Sequence, residues 1–127
     1  MRYLLDTHVI LWALDDDKRL SEMAVSILLD SASEKCVSIA SAWEVAIKVG
    51  KGSLRLKRGV SRFFEAIRQN KVELLPITED QVKCLETLPF IHRDPFDRLL
   101  VATALEENLT LITTDESIHK YDVSWTW

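Results

Sequence analysis

Short, continuously apolar runs alternate along the chain with longer stretches in which apolar residues recur every three or four positions. Uninterrupted runs of β-favouring residues read as strands buried on both faces, and the longer period reads as helices. Tyr3-Leu4-Leu5 predicts a first strand and His8 to Leu14 a short helix, ended by the acidic turn Asp15-Asp16-Asp17. Ser21 is placed to cap a helix bearing Met23, Ile27 and Leu28, and Cys36-Val-Ser-Ile-Ala predicts a second strand. Ser41-Ala-Trp-Glu44 then opens a helix that stops near Gly50 or Gly52.

Leu54-Arg-Leu fits no element clearly, whereas Arg62 to Asn70 is helical with Phe63, Phe64 and Ile67 on one side. Val72 to Ile77 predicts a third strand near a sheet edge, because Pro76 has no amide to donate. Thr78-Glu-Asp-Gln81 has the form of a capping box, starting a helix that runs to about Leu88. Pro95 begins a strongly apolar helix through Leu105, Leu109 to Thr113 is a fourth strand, and Val123-Ser-Trp a short last one. Strands separated by helices imply right-handed crossovers and a parallel sheet. The expected fold is α/β: a three-layer α/β/α sandwich around a mainly parallel sheet of four to five strands, with residues 1–127 as one domain.

Composition narrows the functional classes. A chain of 127 residues, 47% of them hydrophobic, is enough for one core and too short for two. No apolar stretch approaches the ~20 residues that span a bilayer, and Asp6 interrupts the first apolar run where a signal peptide would need its hydrophobic region. A soluble, cytoplasmic protein with no membrane partner is expected. Cys36 and Cys84 are too few for a disulfide framework and form no zinc pattern with the three histidines; they read as reduced core residues. The net charge of −4 argues against non-specific nucleic-acid binding. Yet half of the 16 Lys and Arg residues lie between Lys48 and Lys71, opposed only by Glu65. That stretch is a solvated face or a contact for phosphates or an acidic segment.

Four carboxylates, Asp6, Glu44, Asp97 and Asp115, sit at the ends of widely separated apolar runs, at strand ends or in first turns of helices. In an open α/β sheet the carboxyl ends of the strands meet in one crevice, so acids far apart in sequence can converge there. Crowded carboxylates repel and are stabilised by a hard cation such as Mg²⁺ or Mn²⁺. Each acid also has a purely structural reading. Asp6 can cap the helix after it, Glu44 can complete a capping box with Ser41, and Asp115 occupies an ordinary strand-to-helix turn. Asp94 fits an N-cap before Pro95, with Asp97 as the acid of the first turn. All four fall at the same end of the inferred sheet, which a metal-dependent phosphate-processing enzyme explains together.

The segments Leu5-Asp-Thr-His-Val-Ile-Leu-Trp-Ala-Leu, Ser41-Ala-Trp-Glu-Val-Ala-Ile-Lys, His92-Arg-Asp-Pro-Phe-Asp-Arg-Leu-Leu-Val-Ala and Leu111-Ile-Thr-Thr-Asp resemble a PIN domain, and more narrowly the VapC-type toxins of type II toxin–antitoxin systems. The resemblance covers almost the whole chain. It implies an endoribonuclease dependent on Mg²⁺ or Mn²⁺, hydrolysing RNA to 5′-phosphate and 3′-hydroxyl ends. It carries Asp6, Glu44, Asp97 and Asp115 onto the family's catalytic and metal-binding acids, with Thr7 and Thr113 beside them. Asp94 and Arg98 enter as supporting residues, and Lys48, Lys51 and Arg98 as candidates to steer RNA phosphates. Trp12 and Trp43 can stack bases if exposed, although their helical placement favours core packing; His8 can pack or donate a hydrogen bond, and His92 and His119 carry no separate signal. The resemblance also implies a cognate antitoxin and a homodimer. Ile10, Leu11, Leu14, Ile27 and Leu28 exceed what one helix face needs, in keeping with an extra interface.

Two rivals differ in class. A PIN-like module that binds RNA or a partner without cutting would keep its affinity when Asp6 or Asp97 becomes Asn. A phosphoacceptor receiver domain has similar length and layers but carries paired acids after its first strand and a lysine after its last. Here Asp6 stands alone and the last strand ends in tryptophan.

Overall fold

The structure, a computed structural model, describes residues 1–127. In chain order the elements are β1 (Arg2–Leu5), α1 (Thr7–Leu14), α2 (Glu22–Leu29), β2 (Glu34–Ser38), α3 (Ile39–Gly50), α4 (Val60–Gln69) and β3 (Glu73–Leu75). They continue with α5 (Glu79–Thr87), α6 (Pro95–Glu107), β4 (Thr110–Ile112), α7 (Glu116–His119) and β5 (Trp125–Thr126). The five strands form one sheet in the order β3-β2-β1-β4-β5, and every neighbouring pair is parallel. The expected α/β sandwich is therefore observed, with β3 at an edge as Pro76 implied.

Strand alternation divides the core. Leu4 pairs in register with Cys36 on one side and Leu111 on the other, and these three face the layer built by α5, α6 and α7. Leu5, Val37 and Ile112 point to the opposite face, where α1, α2, α3 and α4 supply Val9, Ala24, Val45 and Phe63. Both faces are covered, which is why the strands read as continuous apolar runs rather than alternating ones. No helix is long and apolar enough to cross a membrane.

Strand order reverses between β1 and β4, because the chain builds outward through β2 and β3 and then returns to the other side of β1. The carboxyl ends at such a reversal leave a crevice that neighbouring crossovers cannot fill. Asp6 directly follows β1, and Thr113, Thr114 and Asp115 directly follow β4.

Several local expectations need correction. Helix α3 begins at Ile39, capped by Ser38, whose side chain accepts from the Ala40 amide; Ser41 is inside the helix and no capping box with Glu44 forms. Glu44 is thus a second-turn residue, free of the capping role. Asp115 does cap a helix at its strand-to-helix turn, the four-residue α7. Leu54 to Leu56 is turn and loop. Cys36 is buried as expected, but Cys84 is only half-buried. Trp43 is 58% exposed rather than packed in the core.

Candidate active site

Each acid reaches the crevice from its own element. Asp6 is the N-cap of α1 and is 5% exposed; its Oδ2 accepts a 2.7 Å hydrogen bond from the Thr113 hydroxyl and its Oδ1 accepts from the His8 amide. Thr113 thereby ties the end of β4 to the end of β1. Asp97 lies in the first turn of α6, where Asp94 caps the helix by accepting from the Phe96 and Asp97 amides and Pro95 needs no partner. Helix α6 runs back against the strands, so its start is at their carboxyl end. Asp115 caps α7, its Oδ1 accepting from the Ser117 and Ile118 amides.

A histidine joins two of them. His92 Nε2 lies 2.9 Å from Asp115 Oδ2 and 3.2 Å from Asp97 Oδ2, and one donor atom from each of the three residues lies within 4.8 Å of the others. Sequence reasoning gave His92 no role. The available signal was its place two residues before the Asp94 cap, which brings it to the start of the acid-bearing helix.

Glu44 occupies a separate compartment. Its Oε1 accepts a 2.8 Å bond from the Thr7 hydroxyl, which is also 2.9 Å from the Ser41 hydroxyl. Its Oε2 pairs with Lys48 Nζ at 2.8 Å, one helical turn on. Both carboxylate oxygens are engaged, one by a cation, and Glu44 does not line the cleft that Asp6, Asp97 and Asp115 share. Its field still reaches Asp6, whose proton affinity it raises.

The electrostatics are those of crowded acids. Burial first, then the charges of Asp6 and Asp94, push Asp97 up to about 7. Burial also raises Asp6, against the opposing hydrogen bond from Thr113 and the nearby His8. Asp115 behaves oppositely: burial raises it, but the hydrogen bond from His92 and the α7 amides outweigh that and hold it low. For His92, burial disfavours the second proton, while Asp115 and Asp97 more than compensate and raise its pKa. The Lys48 ammonium is held charged by Glu44, with Asp94 and Asp97 contributing.

Around the acids, Asp6, His8, Trp12, Arg19, Asp97, Thr114 and Asp115 line an open cleft of about 270 Å³. A second cleft of about 320 Å³ shares His8, Trp12 and Arg19 and continues to Lys48, Ser53 and Leu54. The Arg19 guanidinium lies 4.7 Å over the half-buried Trp12 ring. Lys51 caps the carboxyl end of α3 in solvent. Trp43, next to Glu44, meets the Phe96 ring edge-on at 5.1 Å, next to Asp97.

Arg98 does not face this cleft. It is 6% exposed, and its guanidinium donates to the Pro89 and Leu88 carbonyls and the Tyr121 hydroxyl while lying 3.9 Å over the Phe90 ring. The expected RNA contact is therefore corrected to a buried cap on the carbonyls after α5. Part of the basic stretch is also neutralised, since Arg58 and Arg62 both face Glu65.

Comparison with known proteins adds an independent line. A family model described as the PIN domain matches residues 3–124. Ribonuclease VapC22 of Mycobacterium tuberculosis is 31% identical over 119 residues, covering 93% of this chain and 90% of that protein. Among solved structures, VapBC2 from Rickettsia felis bound to a promoter DNA fragment superposes with a TM-score of 0.76 at 17% identity, covering 100% of this chain and 99% of that one. FitAcB from Neisseria gonorrhoeae gives 0.66 at 22% identity, with 98% and 96% covered. At these identities the structural matches speak for the fold.

Proposed function

Since the chain belongs to the PIN domain family, we propose that it is a metal-dependent endoribonuclease serving as the toxin of a type II toxin–antitoxin pair. The observation that carries this reading is the meeting of Asp6, Asp97 and Asp115 at the point where strand order reverses. The relative at 31% identity is itself named a ribonuclease.

The donor set fits a hard divalent ion. Three carboxylates from three elements converge, one of them pushed to about 7 by burial and then by its acidic neighbours, and oxygen-rich sites of this kind suit Mg²⁺ or Mn²⁺. Such an ion supplies a water of lowered pKa and charge stabilisation at the departing 3′ oxygen. Asp6, Asp97 and Asp115 are the proposed ligands. Thr113 fixes the rotamer of Asp6, and Asp94 fixes the start of α6 and with it Asp97. Glu44, locked by Thr7 and Lys48, orients rather than ligates, and keeps the Lys48 ammonium at the cleft wall. Water-mediated ligation leaves that arrangement intact.

Single-stranded RNA is the proposed substrate, lying along the joined clefts so that Lys48 meets phosphates and the half-buried Trp12 offers a base-stacking surface, with Lys51 at the exposed end of α3 extending the phosphate contact. A cognate antitoxin is the proposed partner. An apolar crevice between α1, α2 and α4, lined by Ile10, Leu14, Leu28 and Ile67, offers it a docking surface. The proposed assembly includes a homodimer, to which the Trp43–Phe96 pair adds apolar area.

The test is incubation of antitoxin-free protein with total RNA in Mg²⁺, Mn²⁺ or EDTA, beside Asp6→Asn. Discrete cuts that need the metal and vanish in the variant support the nuclease. RNA retained with unchanged affinity by both proteins, uncut in any metal, favours the non-cleaving module instead.

A further inference from the structure

The ring of His92, which none of the preceding steps uses, is held by three groups: the Asp94 amide at Nδ1 and the Asp97 and Asp115 carboxylates at Nε2. Its Nδ1 lies 3.1 Å from the Asp94 amide nitrogen, in donor geometry. A backbone amide can only donate, so Nδ1 must offer its lone pair there. The ring proton is then on Nε2, between Asp97 and Asp115. An Nε2 that carries a proton between two carboxylates has no lone pair for a metal, although its position beside two acids imitates that of a ligand.

The backbone carrying this ring has no helix or strand to hold it, and two buried side chains replace them. The Tyr121 hydroxyl oxygen receives the amides of Ile91 at 3.2 Å and His92 at 2.9 Å, together with Arg98 Nη1 at 3.3 Å. Arg98 in turn gathers the carbonyls of Leu85, Leu88 and Pro89. Amides on one side and carbonyls on the other grip the segment from Leu88 to His92. Tyr121 comes from beyond α7, so the clamp also ties the Asp115 side of the site to the Asp97 side.

We propose that His92 is a positioning residue, a fixed N–H donor that locks Asp97 and Asp115 into one arrangement without ligating the metal, and that Tyr121 and Arg98 form the clamp that aims it. Asp115 then has Oδ1 committed to α7 and Oδ2 to His92, so its carboxylate plane is set before any substrate arrives. Partners that orient metal-binding groups in this way characteristically change affinity or rate by about 10–100-fold when removed.

The kinetic part of this inference rests on the nuclease reading; the tautomer does not. Long-range proton–nitrogen correlation on ¹⁵N-labelled full-length protein, in mildly alkaline buffer with EDTA and then with Mg²⁺, reads which ring nitrogen of His92 is protonated. The Nε2-protonated form is expected in both states. A switch to Nδ1-protonated imidazole with Mg²⁺ would make His92 a ligand and overturn the proposal, whether or not RNA is cut. Kinetics separate positioning from bulk stability. Gln places an amide N–H where Nε2 was, and Asn does not reach it. His92→Gln is expected to keep kcat within a few-fold of the parent, whereas His92→Asn loses about 10–100-fold in kcat at little-changed KM. Tyr121→Phe, which removes only the oxygen, is expected to blur the His92 tautomer and lower kcat. Equal losses in the Gln and Asn variants would refute the fixed donor, and a Tyr121→Phe protein with unaltered ring signals would refute the clamp. Absence of any cleavage by the parent protein would count against the nuclease, leaving the ring spectra to decide the donor assignment.

Discussion

Replacing Asp97 by Asn should make the metal-free protein more stable at neutral pH, although it removes a residue proposed to be essential. Asp97 is held at about 7, against an ordinary value of 3.8, by burial and by Asp6 and Asp94. A folded-state pKa above the unfolded one means that the folded chain keeps a proton the unfolded chain releases. Stability is therefore lost as pH rises from about 4 to about 7, and the loss is complete above that window. The rise from 3.8 to about 7 corresponds to a ceiling of about 4 kcal/mol. Protons shared with Asp6 and relaxation of a side chain that still meets some water reduce the expected gain to about 1–2 kcal/mol. Asn has the same shape, keeps an oxygen for His92 and cannot ionise. Urea unfolding in EDTA should show Asp97→Asn matching the parent near pH 4 and exceeding it near pH 8. Mg²⁺ or Mn²⁺ should stabilise the parent more at pH 8 than at pH 5, and the variant little. A variant less stable than the parent at pH 8, or a difference independent of pH, would refute the electrostatic reasoning.

Other substitutions address other parts of the account. Arg98→Lys should destabilise the fold by roughly 2–3 kcal/mol in urea, because an ammonium cannot reach Tyr121 and three carbonyls from one position; RNA affinity of the folded fraction should be unchanged. Thr113→Val leaves Asp6 without its short hydrogen bond, and kcat should fall about 10-fold or more with KM little affected. Lys48→Met should raise KM for RNA and flatten the salt dependence of binding, measured by titration of a labelled oligonucleotide.

Local chemistry explains which features could be read from the sequence. The Thr78–Gln81 capping box forms as its spacing implies, and Asp94-Pro95 starts α6, because both depend only on neighbouring backbone groups. The strand ends carrying Asp6 and Asp115 were legible for a similar reason: a run buried on both faces leaves its first acid at the exit. What was missed depends on partners distant in sequence. Ser38 and Ser41 are equivalent caps by composition, but parallel pairing of Ser38 with Leu75 ends β2 there and starts the helix three residues earlier. Arg98 looked like any cation beside an acid; its burial depends on Tyr121 and on carbonyls folded back from α5. His92 owes its role to Asp115, 23 residues away, and Trp43 its exposure to Ala42 and Val45 filling the buried side of α3.

The chemistry of the cut ends tests the central claim most directly. A single product isolated from a defined oligonucleotide, cleaved in Mn²⁺, can be analysed for its termini by mass spectrometry and by ligation. Hydrolysis by a water activated among Asp6, Asp97 and Asp115 predicts a 5′-phosphate on one fragment and a 3′-hydroxyl on the other. A 2′,3′-cyclic phosphate with a 5′-hydroxyl, persisting in EDTA, would place the attack on the ribose itself and contradict the assignment of the acids.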